Sequence, residues 1–193
     1  MEENNEKEEQ RAGRNKSTQI VKAYINGSEF RRKFDLITAS KDVNRLLYQV
    51  AKKMLFHRTG TEYEDMYWID PIQCRIVAKE INEQEEQTIS YSDAIKTIII
   101  ANPGLITIHS HPEGTPPSID DLNSNYVNKY SLGIVVGHGG QIYIYSSNEY
   151  INPIYFEISV AEYIQQGYNE SEARVKAIES CMQTNDIYFE EVR

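Results

Sequence analysis

This sequence predicts an α+β or three-layer domain, and three observations carry that expectation. Short apolar runs of strand length alternate with longer segments whose apolar residues recur at helical spacing. Turn-forming stretches separate them, among them Asn26-Gly27, Asn102-Pro103-Gly104 and Gly137-His138-Gly139-Gly140. The 193 residues are 40% apolar, enough for the core of one medium domain with appendages.

Residues 1–17 are polar and charged, with Glu2, Glu3, Glu6, Glu8 and Glu9 clustered. Such a run cannot bury enough surface to offset its ordering entropy, so a flexible acidic tail is expected. Residues 20–25 read as a strand, Asn26-Gly27 as a two-residue hairpin turn and residues 28–36 as the partner strand. Arg31, Arg32 and Lys33 would then lie on a solvated strand edge. A helix follows over 40–57, where Val43, Leu46, Leu47, Val50, Met54 and Leu55 form one apolar face. Gly60 closes it, and His57 sits where it can interact with the helix C-terminal dipole.

Residues 62–70 enter a strand whose apolar body is Met66, Tyr67, Trp68 and Ile69. Pro71-Ile72-Gln73 turns the chain into an antiparallel strand over 74–81. A helix is expected over 91–101, although its β-branched tail, Thr97 to Ile100, also suits a strand. After Asn102-Pro103-Gly104 comes a strand ending in His109 and His111, then a helix over 118–130. Strands over 133–136 and 141–145 flank a glycine-rich turn that should expose His138. Beyond Pro153 we expect a short strand at 155–158, a helix over 160–166 closed by Gly167, and a helix over 170–182. The resulting division is a tail at 1–17, an N-terminal hairpin and helix at 18–60, a core at 61–150 and a C-terminal extension at 151–193.

Composition excludes several classes. A net charge of −9 disfavours nonspecific nucleic-acid binding, which ordinarily needs a basic face. Two cysteines far apart, Cys74 and Cys181, suggest no disulfide framework and make the cytoplasm the default compartment. No stretch approaches 18 apolar residues, and the N-terminus has no apolar signal core, so no membrane association is expected.

The chemistry concentrates between Thr107 and Asp121. Residues two apart in a strand point to the same side, so His109 and His111 can converge at the strand's end. The Pro/Gly-rich turn that follows leads to Ser118, a candidate helix N-cap, and swings an aspartate, Asp120 or Asp121, back towards the imidazoles. Two histidines and one aspartate around an open fourth position form the ligand set of a catalytic zinc.

His109-Ser110-His111-Pro112 followed by Ser118-Ile119-Asp120-Asp121 resembles the JAMM (MPN-plus, or JAB) signature of zinc metalloproteases and isopeptidases. The Pro/Gly-containing loop before Pro117-Ser118 is similar to the RadC-like prokaryotic branch. Six residues separate His111 from Ser118, where that family usually has seven. The resemblance covers about residues 61–145. It implies a curved mixed β-sheet flanked by helices (JAB/MPN-like, cytidine-deaminase-like), with Zn2+ on His109, His111 and Asp121. Asp120 stays open as the alternative ligand because of the short loop.

The resemblance also implies a glutamate base ahead of the first core strand, and Glu62 and Glu64 both fit. Counting back from the strand end at Ile69-Asp70 favours Glu62, with Glu64 the alternative and Glu80 the outsider. Ser118 would cap the helix or hydrogen-bond the tetrahedral oxyanion. The implied activity is hydrolysis of an amide bond in a protein or peptide substrate, such as the tail of a ubiquitin-like or other conjugated protein. Two alternatives belong to other classes: a RadC-like accessory protein of DNA metabolism or mobile elements, and a non-catalytic MPN scaffold.

Overall fold

Four central strands buried at nearly every position make a sheet that must be covered by helices on both faces. The structure is a computed structural model that describes residues 16–82, 85–86 and 89–193; the acidic run expected to form a tail lies outside the described residues. Six strands, β1 (Met66–Asp70), β2 (Arg75–Glu80), β3 (Ile106–His111), β4 (Leu132–Gly137), β5 (Ile142–Ser147) and β6 (Ile187–Glu191), form one open mixed sheet. Their order is β2-β1-β3-β4-β5-β6. Only β3 and β4 pair in parallel, joined by a crossover through a helix at Ile119–Asn128. The α+β expectation therefore holds, with seven helices among the described residues.

Tyr67, Ile69, Ile106, Ile108, Ile134, Val136, Ile142 and Ile144 project from one face of the sheet. They pack against the N-terminal helices α1 (Lys22–Ile25), α2 (Ser28–Arg32) and α3 (Lys41–Arg58). The alternate residues face the other way. Trp68 packs with α4 (Asp93–Ala101), while Val135, Tyr143 and Tyr145 meet α5 (Ile119–Asn128), α6 (Pro153–Gln165) and α7 (Glu170–Thr184). Because Ile106 and Ile108 take the first face, His109 and His111 must take opposite parity from Ile108 and point towards the second.

Gly133 is required by this arrangement. It pairs with Tyr145 on β5, and a methyl on its Cα would overlap the tyrosine ring.

The structure corrects four expectations. Residues 20–36 are not a hairpin but two short helices, α1 and α2. A two-residue hairpin turn of the Asn-Gly type needs positive φ at its glycine, whereas Gly27 has φ −76° and ψ 162° and precedes α2 as its N-cap. The one-turn spacing of Phe30 and Phe34 suits helical packing. Their rings meet edge-on at 5.3 Å, and both contact Tyr48 of α3. Lys33 consequently lies on no strand edge, and its Nζ donates to the Gly140 carbonyl at 3.1 Å.

Second, residues 153–165 form one helix rather than a strand followed by a shorter helix. The Asn152 side chain accepts from the Ile154 amide, and Pro153 occupies the first helical turn, where its missing N–H costs nothing. Phe156 and Val160, one turn apart, bury against Ala173, Ala177 and Ile178 of α7. Third, residues 187–191, assigned only to a C-terminal extension, add β6 to the sheet, with Phe189 stacked on Tyr143 at 6.0 Å. Fourth, His138 is not exposed. It is buried, its Nδ1 2.6 Å from the Thr18 carbonyl, because the segment before α1 crosses the β4–β5 turn.

The helices over 40–57, 91–101 and 170–182 occur close to their expected bounds as α3, α4 and α7. No helix among the described residues is long and apolar enough to cross a membrane.

Candidate metal centre

Strand β3 delivers His109 and His111 to its C-terminal end on one side of the sheet, both more than nine-tenths buried. Their Nε2 atoms lie 3.0 Å apart. Asp121, in the first turn of α5, completes the cluster: Oδ1 is 3.2 Å from His109 Nε2, and Oδ2 is 3.6 Å from His111 Nε2. These three residues form a group able to hold a metal ion.

The distances can be tested against a tetrahedral ion. With metal–nitrogen and metal–oxygen bonds of about 2.0–2.2 Å, tetrahedral angles put neighbouring donors about 3.3–3.6 Å apart. The observed separations of 3.0, 3.2 and 3.6 Å fit to a few tenths of an ångström. The donor chemistry agrees. His111 Nδ1 lies 3.0 Å from the Thr115 carbonyl oxygen, which can only accept, so Nδ1 carries the hydrogen and Nε2 presents its lone pair to the cluster. The Thr115 hydroxyl lies on the same nitrogen at 3.0 Å. A lone pair on His111, another nitrogen at 3.0 Å and a carboxylate beside both make a site that a cation or a shared proton stabilises.

Asp121 is held from both sides. Its Oδ2 accepts from the Ser118 amide at 2.7 Å and from the Ser118 hydroxyl at 2.8 Å, while its own amide donates to Ser118 Oγ at 3.1 Å. This is a reciprocal capping box at the start of α5, with Asp in the role more often taken by Glu. Burial on its own would raise the Asp121 carboxyl. The imidazoles of His109 and His111 and the Ser118 amide outweigh it and hold the group below the ordinary carboxylate range. Asp120 is exposed and outside the cluster, so the short loop between His111 and Ser118 leaves the Ser-x-x-Asp register intact. Gly114, at φ 73°, makes the tight turn in that loop, and its amide donates back to the His111 carbonyl at 3.0 Å.

Of the two candidate bases, Glu64 is the one brought to the centre. Its Oε1 lies 4.0 Å from His111 Nε2, and its carboxylate borders the cleft in front of the histidines. Glu62 is half-buried in the bend after Gly60 and does not line that cleft. The expectation for Glu62 counted strand parity back from Ile69. Strand β1 begins only at Met66, and upstream of it alternation has no force. Burial pushes the Glu64 carboxyl up to about 7, with His111 opposing and Asp121 adding to the shift. Glu80 lies at the end of β2 and lines no part of the cleft.

What fixes Glu64 in place leaves no mark in the local residue pattern. The Asp65 amide donates to Ser110 Oγ at 3.0 Å, and the Ser110 amide donates to the Asp65 carbonyl at 3.1 Å. Ser110 thus ties the segment carrying Glu64 to the strand carrying both histidines. The Asp65 carboxylate takes a bond of 2.5 Å from buried Arg58 Nε and sits 2.8 Å from His57 Nδ1. His57 therefore pairs with a carboxylate rather than with its own helix end. Arg58 reaches the Ile81 carbonyl at 2.8 Å as well, which locks the end of α3 to β1 and β2.

In front of the cluster lies a cleft of about 780 Å³, running from Glu64 and His111 past Ser118 to Glu157 of α6 and Arg174 of α7. Volume of this order suits a small molecule or a short peptide segment. Comparison with family models, curated proteins and solved structures found no match to this chain.

Proposed function

We propose that this protein is a zinc-dependent peptidase or isopeptidase of the JAMM type, hydrolysing an amide bond in a protein or peptide. The observation that carries the proposal is the convergence of His109, His111 and Asp121 at tetrahedral spacing beside the Glu64 carboxylate, open to one cleft. His109, His111 and Asp121 would hold the ion. Zinc, when bound there, supplies Lewis acidity that brings water's pKa to about 7.

The remaining steps fall to the chain itself. Glu64 lies outside the ligand cluster, and burial tunes its carboxyl to exchange protons near neutrality. It takes a proton from the attacking water at its Oε1 and returns it to the departing amine. The Ser118 hydroxyl rests on Asp121 Oδ2, at the cleft wall. Rotating away from that carboxylate, it donates to the developing oxyanion, while the Ser118 amide keeps Asp121 in place. Thr115 fixes the His111 tautomer throughout.

The test is metal analysis followed by amide hydrolysis on a panel of peptides and ubiquitin-like fusions. About one zinc per chain and cleavage of at least one substrate are expected. Full zinc occupancy after replacing both histidines with alanine would refute the metal assignment. Stoichiometric zinc with no cleavage across the panel would favour the scaffold alternative.

A further inference from the structure

We infer that the helical layer α1–α3 carries a binding surface for single-stranded nucleic acid, on the opposite side of the sheet from the metal centre. The inference is independent of the peptidase proposal. The overall charge of −9 is the sum of unlike parts. Residues 16–60 hold ten lysines and arginines against three acids, a net of +7. Residues 61–193 hold seven against twenty-one, a net of −14. The basic segment is the one that packs over Tyr67, Ile106 and Ile108, on the sheet face that His109 and His111 turn away from. Of its cations, only Arg58 is buried, bound to Asp65. The basic face that a nucleic-acid partner needs is therefore present, although the chain as a whole is acidic.

Tertiary structure concentrates this charge at one place. Arg31 of α2 and Lys41 and Arg45 of α3, all exposed, meet around a cavity of about 390 Å³. Asp35 is the only acid among the described residues of its wall. Among the described residues Arg31 and Lys41 have no ion-pair partner, and Arg45 has only exposed Asp42 at 3.7 Å. Three like charges around one cavity repel one another, and an anion seated among them replaces that repulsion with attraction. Lys41, Arg45 and Lys52 fall within about 40° of one another around α3 and span about 16 Å of its length. The cavity thus lies at one end of a row of cations long enough to follow several phosphates.

The shape of the site selects among polyanions. A nucleotide offers a phosphate for the three cations and a flat base for the wall made by Phe34, Leu36 and Tyr48. Leu36, 92% exposed, gains cover from such a base. The headgroups of a flat bilayer stay outside a concave site. The carboxylates of an acidic protein reach the cations and leave the aromatic and aliphatic wall unused.

Fluorescence anisotropy with a labelled oligothymidylate of about 12 nucleotides tests this on the full chain. Between roughly 50 and 200 mM salt, log K should fall against log salt with a slope of about −2 to −3, since each of three or four phosphates contributes about −0.7. The triple variant Arg31→Gln/Lys41→Gln/Arg45→Gln should weaken binding at least about tenfold and flatten the slope by about 2. Lys79→Gln/Lys96→Gln/Lys129→Gln removes the same charge from exposed positions in the acidic remainder and should change affinity less than about twofold. Absence of binding at the lowest salt, or an equal loss in both triple variants, would overturn the inference. So would capture of phosphatidylserine vesicles or of a polyglutamate peptide as tightly as the oligonucleotide. Zinc content and amide hydrolysis play no part in these readouts, so the peptidase proposal stands or falls separately.

Discussion

Metal binding should raise the thermal stability of this protein, and the increment should vanish when a ligand is removed but survive loss of the helix cap. The three donor groups already stand at 3.0–3.6 Å separations, so an ion enters without rebuilding the site. Free metal at about a hundredfold over its dissociation constant then stabilises the native state by about 2.7 kcal/mol. For a chain of 193 residues each kcal/mol moves Tm by about 2–4 °C, which gives a rise of about 5–11 °C. His109→Ala or His111→Ala should abolish the rise. Asp121 and Ser118 separate capping from coordination, since they share one capping box. Ser118→Ala should lower Tm in the metal-free state through the lost cap, worth about 0.5–2 kcal/mol, yet keep the zinc increment. Asp121→Ala should lower the metal-free Tm similarly and lose the increment too. Scanning calorimetry on chelator-stripped protein, with and without added zinc, measures all five proteins. A wild-type Tm indifferent to zinc, or an Asp121→Ala protein that responds like wild type, would refute the reasoning.

Three further outcomes follow from the geometry. Glu64→Gln should retain zinc by metal analysis and reduce amide hydrolysis about 10²–10⁴-fold, the usual worth of a positioned base, whereas Glu62→Gln should stay close to wild type; a dead Glu62→Gln enzyme with an active Glu64→Gln one would return the role to Glu62. Arg58→Leu removes the partner of Asp65 where both side chains are 1% exposed, and urea unfolding should show a loss of about 3–5 kcal/mol; a loss under 1 kcal/mol would show that the pair does not lock α3 to the sheet. Burial holds the His138 imidazole below its ordinary 6.5, with the Thr18 carbonyl opposing and His111 adding to the depression. The unfolded chain therefore takes up a proton before the native one as pH falls through 6.5, and stability drops on the acid side. His138→Gln should flatten that slope in urea midpoints compared between pH 7.5 and pH 5.5, and an unchanged slope would assign the acid sensitivity elsewhere.

Local sequence determined much of the centre. The run Thr107 to His111 carries its own strand parity, so the facing of both imidazoles was legible from spacing alone. Ser118 followed by Asp121 specifies a capping box, a device closed within four residues, and the cap fixes where Asp121 points whatever the rest of the chain does. Helix α3 was equally legible, because eighteen residues of apolar periodicity leave little room for another structure. Such features depend on contacts between near neighbours in the chain.

Only tertiary structure decided the rest, and for one physical reason: the deciding contacts join residues far apart in sequence. Residues 20–36 carry β-branched and Asn-Gly signals, yet they form two short helices and a turn from which Ile25, Phe30 and Phe34 bury against α3. Ile154 to Ile158 follow the same rule, overridden by the Asn152 cap and by α7. His138 became a buried residue because Thr18, 120 positions away, closes over it. The choice between Glu62 and Glu64 turned on where β1 begins and on the Ser110 and Arg58 bonds that hold Asp65, and neither leaves a mark in the local pattern of residues 61–65. Spacing supplied the three donor groups that could hold a metal; the packing of distant segments supplied the carboxylate that faces them and the acidic cleft in front of them.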